Sequence, residues 1–423
     1  MKKVKIIDAR NTRALNRVLA RDTTADRALE RRVATIVEGV RQGGDAALLR
    51  FARRFDGVVP PIEVSAAEMR NGAALVPLDV RRAIERAARN IARVAFRQIP
   101  RHWDIRVSPG VIVEQRVEPL ARVGCYVPGG RFPLPSSLLM TAIPARVAGV
   151  PDVIAMCPRP EPVVMAAALE AGISRLFRVG GAHAIAAMAY GTTTIPRVDK
   201  IVGPGNRYVA AAKARVSADC AIDFYAGPTE IVIVAGSTGG RAYRPEWIAA
   251  DLVAQAEHDP DARSIFITWN SRLAARVARL VATRAAGRPI VKQSLAAHGA
   301  IVKAGTADEA MRLANAIAPE HLVVDSENLL HGSITAGAVF VGPFSAQAAG
   351  DYATGSNHVL PTSGAARFRG GLSAADFVRV MAVQRLTRAG LAELAPSILE
   401  LATAEGLGAH AESIAVRLRR PRA

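Results

Sequence analysis

The chain has 423 residues, half of them apolar, 5% aromatic and 22% charged, with a formal net charge of +18. Length predicts two or more domains, the composition excludes a disordered or collagen-like chain, and no apolar run approaches the ~18 residues of a membrane helix. The charge is carried almost wholly by scattered arginines rather than a basic stripe interleaved with aromatics; that argues against nucleic acid and for a small anionic ligand drawn by the field.

The N-terminus, Met1-Lys2-Lys3-Val4-Lys5-Ile6-Ile7-Asp8, is basic but leads into too short an apolar stretch for a secretory signal. A cytoplasmic protein is expected. The first ~100 residues read as helices, with aliphatics at three- and four-residue spacing from Ala25 to Gln42 and from Leu78 to Gln98. Near Glu118 the character changes. Short apolar runs now end in glycine or proline: Val123 to Val127, Val153 to Cys157, Leu176 to Val179, Lys200 to Val202 and Ile231 to Ala235. Alanine-rich helical stretches alternate with them at Met140 to Ala148, Val163 to Ala171, Ala182 to Tyr190 and Tyr208 to Val216. That cadence predicts parallel βα units.

A second series follows, with strands at Ile265 to Trp269, Ile301 to Lys303, Leu322 to Asp325 and Val339 to Val341. Its helices run from Pro245 to Ala256, Ser271 to Arg284 and Ala307 to Ala318. Two α/β layers of one rhythm suggest two related halves with a binding cleft between them. From Ser373 onward the chain reads as helical and ends in a dense basic tail.

Glycine-rich corners close several strands: Pro128-Gly129-Gly130, Gly180-Gly181, Gly203-Pro204-Gly205-Asn206 and Ala226-Gly227-Pro228. Such corners let backbone approach a ligand, and the helix that follows offers free N–H groups to an anion. Together they point to a phosphate or dinucleotide, although Gly203 to Tyr208 lacks the third glycine of the usual fingerprint. The three cysteines are odd in number and lack metal-knuckle spacing, so neither a disulfide framework nor a catalytic thiol is expected.

Histidines carry more information. Gln255 and His258 stand three apart at a helix end, where both could reach one metal ion. Glu320-His321 supplies two adjacent groups for proton transfer. His358 lies in a polar, glycine-rich stretch and His410 near the C-terminus. Taken singly, each is an ordinary surface or capping histidine. The residues themselves lead to an α/β enzyme with a candidate metal and no further.

Seven stretches together resemble the zinc- and NAD-dependent histidinol dehydrogenase family. They are Gly124 to Gly130, Val198 to Asn206, Ala226 to Glu230, Gln255 to His258, Ala318 to Leu322, Gly350 to Thr362 and Ala404 to His410, in the family's order. The resemblance implies two related incomplete Rossmann-like lobes, similar to aldehyde dehydrogenases, with helical N- and C-terminal segments. The implied division is an arm at 1–20, a discontinuous main α/β domain at 21–121 and 232–370, an inserted α/β domain at 122–231, and a helical segment at 371–423.

It also implies a four-electron oxidation of L-histidinol, through histidinal, to L-histidine with two NAD. By match to the family, Gln255, His258, Asp351 and His410 ligate zinc. His321 is the base for the alcohol proton and Glu320 activates water on the aldehyde. Tyr126, His183 and Asn206 line the NAD site, while Thr229, His358 and Glu405 join His321 and the four ligands in contacting substrate. A homodimer is implied, in which the C-terminal segment with Glu405 and His410 completes the partner's site.

The sequence departs from the family pattern at His183, where glutamine is usual, at Ala346-Gln347, where Pro-Glu is frequent, at Thr229 for serine and at Asp259 for glycine. Losing a carboxylate at Gln347 bears on the charge of the substrate. The alternative reading is therefore a zinc and NAD dehydrogenase of another primary alcohol, such as a sulfonated diol.

Overall fold

The computed structural model describes residues 4–20, 26–129, 132–225, 227–236 and 243–419. Gly130, Ala226 and the tail from 420 therefore lie outside the described residues, as does Met1-Lys2-Lys3. The chain forms two six-stranded sheets and one three-stranded sheet. In one large sheet, Glu230–Val234 and Arg263–Thr268 lie side by side, followed outward by Ala300–Lys303 and Lys5–Asp8. On the other side of Glu230–Val234 stand His321–Val324 and then Ala338–Val341, and all pairings are parallel. In the second large sheet, Arg122–Tyr126 sits between Asp152–Met156 and Lys200–Val202, with Arg175–Phe177 and Ala221–Ile222 beyond them. Numbered in chain order, five strands of each sheet run 3-2-1-4-5, the same order twice. The expectation of two related α/β halves with parallel sheets is borne out.

The strands are short because both faces are covered. Every residue of Glu230–Val234 is buried, as parallel sheets require. The helices Pro135–Val147, Pro162–Glu170 and Gly181–Tyr190 are apolar nearly all round, so a further layer must cover their outer sides. That layer comes from the N-terminal third. Arg27–Phe51 packs on Gly181–Tyr190, Ala66–Ala74 on Pro162–Glu170, and Leu78–Gln98 on Pro135–Val147. Leu78–Gln98 turns Ile84, Ala87, Ala88, Ile91 and Ala95 inward and its arginines to water.

The helices of 27–98 pack on the 122–222 layer and share its core, because that layer's apolar helices need cover. The strand Glu63–Val64 joins the same sheet, antiparallel to Arg175–Phe177. Within the N-terminal arm, Lys5–Asp8 is an edge strand and Thr12–Leu19 a helix. After Ser373 the chain makes a single 3-10 turn, Ala374–Phe377, then a nine-residue strand, Val378–Leu386, and after it the helices Arg388–Ala404 and Gly408–Leu418.

Val378–Leu386 pairs antiparallel with Val111–Pro119, which pairs in turn with Trp103–Ser108. This third sheet was not expected. Its two outer strands are largely exposed; Trp103–Ser108 does alternate apolar and polar residues, but its apolar Trp103, Ile105 and Val107 are exposed within one chain. Among the described residues, no helix is long and apolar enough to cross a membrane.

Candidate functional site

Two adjacent strands of the first sheet begin the site. Ile231 stands opposite His321 in the parallel register, which brings Thr229, Glu230, Glu320 and His321 together at the N-terminal edge. Glu320 Oε2 accepts hydrogen bonds from Thr229 Oγ1 at 2.5 Å and from the Glu230 N–H at 2.8 Å. Thr229 Oγ1 accepts in turn from Gln255 Nε2 at 2.6 Å. Gln255 is fully buried on the last turn of the helix Pro245–Ala256, and its Oε1 has no hydrogen-bond partner. His258 follows just beyond that helix, its N–H 3.4 Å from the Gln255 carbonyl.

The His321 ring is buried against Phe340, with centroids 6.1 Å apart. Its Nδ1 lies 3.2 Å from the Glu230 carbonyl and 3.6 Å from Glu320 Oε2. On the other side, Nε2 lies 3.4 Å from Gln347 Nε2 and 3.9 Å from Asp351 Oδ1. Gln347 and Asp351 share one face of the short helix Gln347–Tyr352, and the amide donates to Asp351 Oδ2 at 2.6 Å. His358 Nδ1 donates to the Asp351 carbonyl at 2.9 Å.

Burial dominates the electrostatics. It pushes the Glu320 carboxyl up to about 8, against the lowering effect of its hydrogen bonds from Thr229 and Glu230. Glu230 is pushed up to about 7 by the same cause, despite Arg263 at 3.1 Å. Desolvation lowers His321, raises Asp351 and brings His358 down to about 4. A neutral imidazole beside a carboxyl that titrates near neutrality is a pair suited to proton transfer.

The second sheet supplies a separate crevice at the C-terminal ends of Arg122–Tyr126 and Lys200–Val202, where its strand order reverses. Tyr126 is buried, and its hydroxyl accepts from the Gly181 N–H at 3.0 Å. Gly203 has φ +117, and a Cβ there would meet the Tyr126 carbonyl oxygen at 2.1 Å, so glycine alone permits this approach. Exposed Asn206 caps the next helix, accepting from the N–H groups of Tyr208 and Val209 at 3.0 and 3.2 Å. His183 is buried between Phe51 and Phe55 and hydrogen-bonds Asp56 at 2.9 Å. Asp56 also accepts from the Gly180 N–H at 2.9 Å, so His183 meets the glycine corner from inside.

Segment 357–376 ties the two regions. Asn357 donates to the Met140 carbonyl at 2.7 Å, Thr362 Oγ1 accepts from Gly227 at 2.6 Å, and Arg369 donates to the Asp223 carbonyl.

Not every expected residue gathers here. Glu405 and His410 are exposed in the C-terminal segment, and neither side chain makes a hydrogen bond or ion pair among the described residues. No group of three or more His, Cys, Asp or Glu forms a metal cage among the described residues. Gln255, His258 and Asp351 still suit a borderline cation. Buried Gln255 offers a carbonyl oxygen without a hydrogen-bond partner among the described residues, and His258 follows at the same helix end. Cys125, Cys157 and Cys220 are free and buried, with thiols pushed up by burial. None is a nucleophile.

Sequence reasoning noted Gln347 only as a departure and missed Asp56, Glu230 and the buried Lys213–Asp223 pair. The four-residue spacing of Gln347 and Asp351 was the available signal; the other three are joined across 127, 91 and 10 positions by the fold.

Comparison with known proteins gives one family. Its sequence model, described as histidinol dehydrogenase, matches residues 19–418. A histidinol dehydrogenase of Methanothermobacter thermautotrophicus is 47% identical over 92% of this chain and 93% of its own. One of Caulobacter vibrioides is 48% identical over 91% and 92%. A crystal structure of histidinol dehydrogenase from Elizabethkingia anophelis superposes with a TM-score of 0.93, at 33% identity and 98% coverage of both chains.

Proposed function

The chain belongs to the histidinol dehydrogenase family, NAD-dependent oxidoreductases, and on that premise we propose how its residues oxidise L-histidinol through histidinal to L-histidine. The observation that carries the reading is the buried Glu320–His321 pair, built with Thr229 and Gln255 at one strand edge. His321, held neutral by burial, takes the hydroxyl proton as hydride leaves the alcohol carbon. Glu320 draws a proton from water as that water adds to the aldehyde. As the water adds, His321 gives its proton to the aldehyde oxygen, and so is free to remove a proton from the hydrate as the second hydride departs. Thr229 and Glu230 hold Glu320 by one oxygen and leave the other facing the reaction. NAD, when bound, accepts the hydride of each oxidation. Tyr126 and Asn206 line its crevice, and His183 steadies the Gly180–Gly181 corner through Asp56.

Gln255, His258 and Asp351 would hold zinc together with His410, and the metal would orient the substrate's imidazole and amine. Exposed His410 and Glu405 support a homodimer in which the C-terminal segment reaches a second copy, with His358 and Glu405 at the substrate. Exposed Ile105, Val107, Val380, Met381 and Leu401 in the same region give that interface its apolar content. The three free, buried thiols fit a cytoplasmic setting. Relatives named for histidinol disfavour a sulfonated diol as substrate.

The test is NADH formation by zinc-loaded protein with L-histidinol. Two NADH per substrate are expected, abolished by chelation and by His321→Ala. No turnover with NAD bound overturns the reading.

A further inference from the structure

We propose that Gln347 is a positioning residue: its carboxamide fixes the His321 imidazole as the Nδ1–H tautomer, leaves the Nε2 lone pair free for the substrate proton, and holds one oxygen of Asp351. The argument rests on which atoms can donate. An ionised carboxylate only accepts, so the amide nitrogen of Gln347, and not its oxygen, must face Asp351 Oδ2 at 2.6 Å. That nitrogen carries a second hydrogen, and His321 Nε2 stands 3.4 Å away. A donor on that side makes Nε2 the acceptor.

Across the ring, Nδ1 meets acceptors. The Glu230 carbonyl lies at 3.2 Å, and Glu320 Oε2, which already accepts from the Glu230 N–H, lies at 3.6 Å. Both sides of the imidazole therefore select one tautomer, the one with a base at Nε2. A single contact opposes it. Asp351 Oδ1, 3.9 Å from Nε2, would favour a proton there, but it lies beyond hydrogen-bond reach. Gln347 keeps it so by engaging the other oxygen of the same carboxylate. Without the amide, Asp351 is free to turn onto Nε2 and draw the proton to the face that must be bare. The long 3.4 Å contact yields readily to a substrate hydroxyl. Gln347 is itself buried, so its amide has no water to turn to.

The proposal rests on His321 as the base, and histidinol turnover tests that reading separately. The test of Gln347 is nitrogen NMR of protein labelled with ¹⁵N-histidine, zinc-loaded and zinc-free, with the His321 signals assigned by their loss in His321→Gln. Wild type is expected to show a protonated Nδ1 and a bare Nε2. Gln347→Leu should move proton density to Nε2 and lower kcat about 10- to 100-fold, with KM for NAD unchanged. Gln347→Ala serves the same purpose if the leucine variant does not fold. A protonated Nε2 in the wild type, or identical His321 spectra in wild type and variant, overturns the proposal.

Discussion

Glu320 combines two demands that pull against each other. In the proposed mechanism it must be ionised to activate water, yet its surroundings push the carboxyl up to about 8. The second oxidation should therefore lose rate as pH falls below that value, and the first should be less affected. Glu320→Gln is expected to release about one NADH per histidinol and to accumulate aldehyde, at a loss of roughly 10²- to 10⁴-fold in the overall four-electron rate. Stability follows with a definite sign. The folded pKa lies above the reference 4.5, so what Glu320 contributes is present below pH 4.5 and lost as pH rises through about 8. In chelated protein, urea titration should find Glu320→Gln gaining on wild type between pH 4.5 and 8, with no such gain at pH 4. Thr229→Val removes a donor to Glu320 and strands Gln255 Nε2, which should lower stability by about 1–3 kcal/mol in the same assay.

Elements, rather than single groups, hold the crevice proposed for the nucleotide. Lys213 and Asp223 form an ion pair buried on both sides; Lys213 also donates to the Gly203 carbonyl at 3.0 Å, and Asp223 accepts from the Gly203 N–H at 2.7 Å. The pair grips both backbone polar groups of the glycine that must lie against Tyr126. Lys213→Met leaves a buried carboxylate alone and should cost about 3–5 kcal/mol in thermal or urea unfolding. Where the variant remains folded, KM for NAD should rise while kcat at saturating NAD changes less. Adding Asp223→Leu should recover only part of the stability, since the Gly203 and Phe224 N–H groups lose their acceptor. Such ties were illegible in the sequence, because burial of Lys213 is decided by the second sheet closing over it. The elements themselves were legible. Leu78–Gln98, Pro245–Ala256 and Ser271–Arg284 match to the residue, and the buried parallel strands match within a few positions. The antiparallel sheet escaped although Trp103–Ser108 alternates apolar and polar residues, because its partners Val111–Pro119 and Val378–Leu386 break that alternation. At the site, Glu320 and His321 stood out as neighbours in sequence, but their partners Thr229 and Gln255 come from other elements.

At the scale of the molecule, one chain separates His410 from the rest of its proposed ligand set. If a second copy supplies it, His321→Ala and His410→Ala, each inactive alone, should complement when unfolded together and refolded. Random pairing restores one site in each mixed dimer, or about a quarter of wild-type activity. A mixture that stays inactive while forming dimers places His410 within its own chain's site.

The pairing of Lys5–Asp8 with Ala300–Lys303 also gives the molecule a history in time. During synthesis, this strand has no neighbour until nearly three hundred further residues have followed. At ~5–20 residues per second that interval is roughly 15–60 s. Through it an unpaired strand trails from a half-made protein while the second sheet, whose partners are closer in sequence, can already close. That strand, made long before its partner, is among the last to be seated.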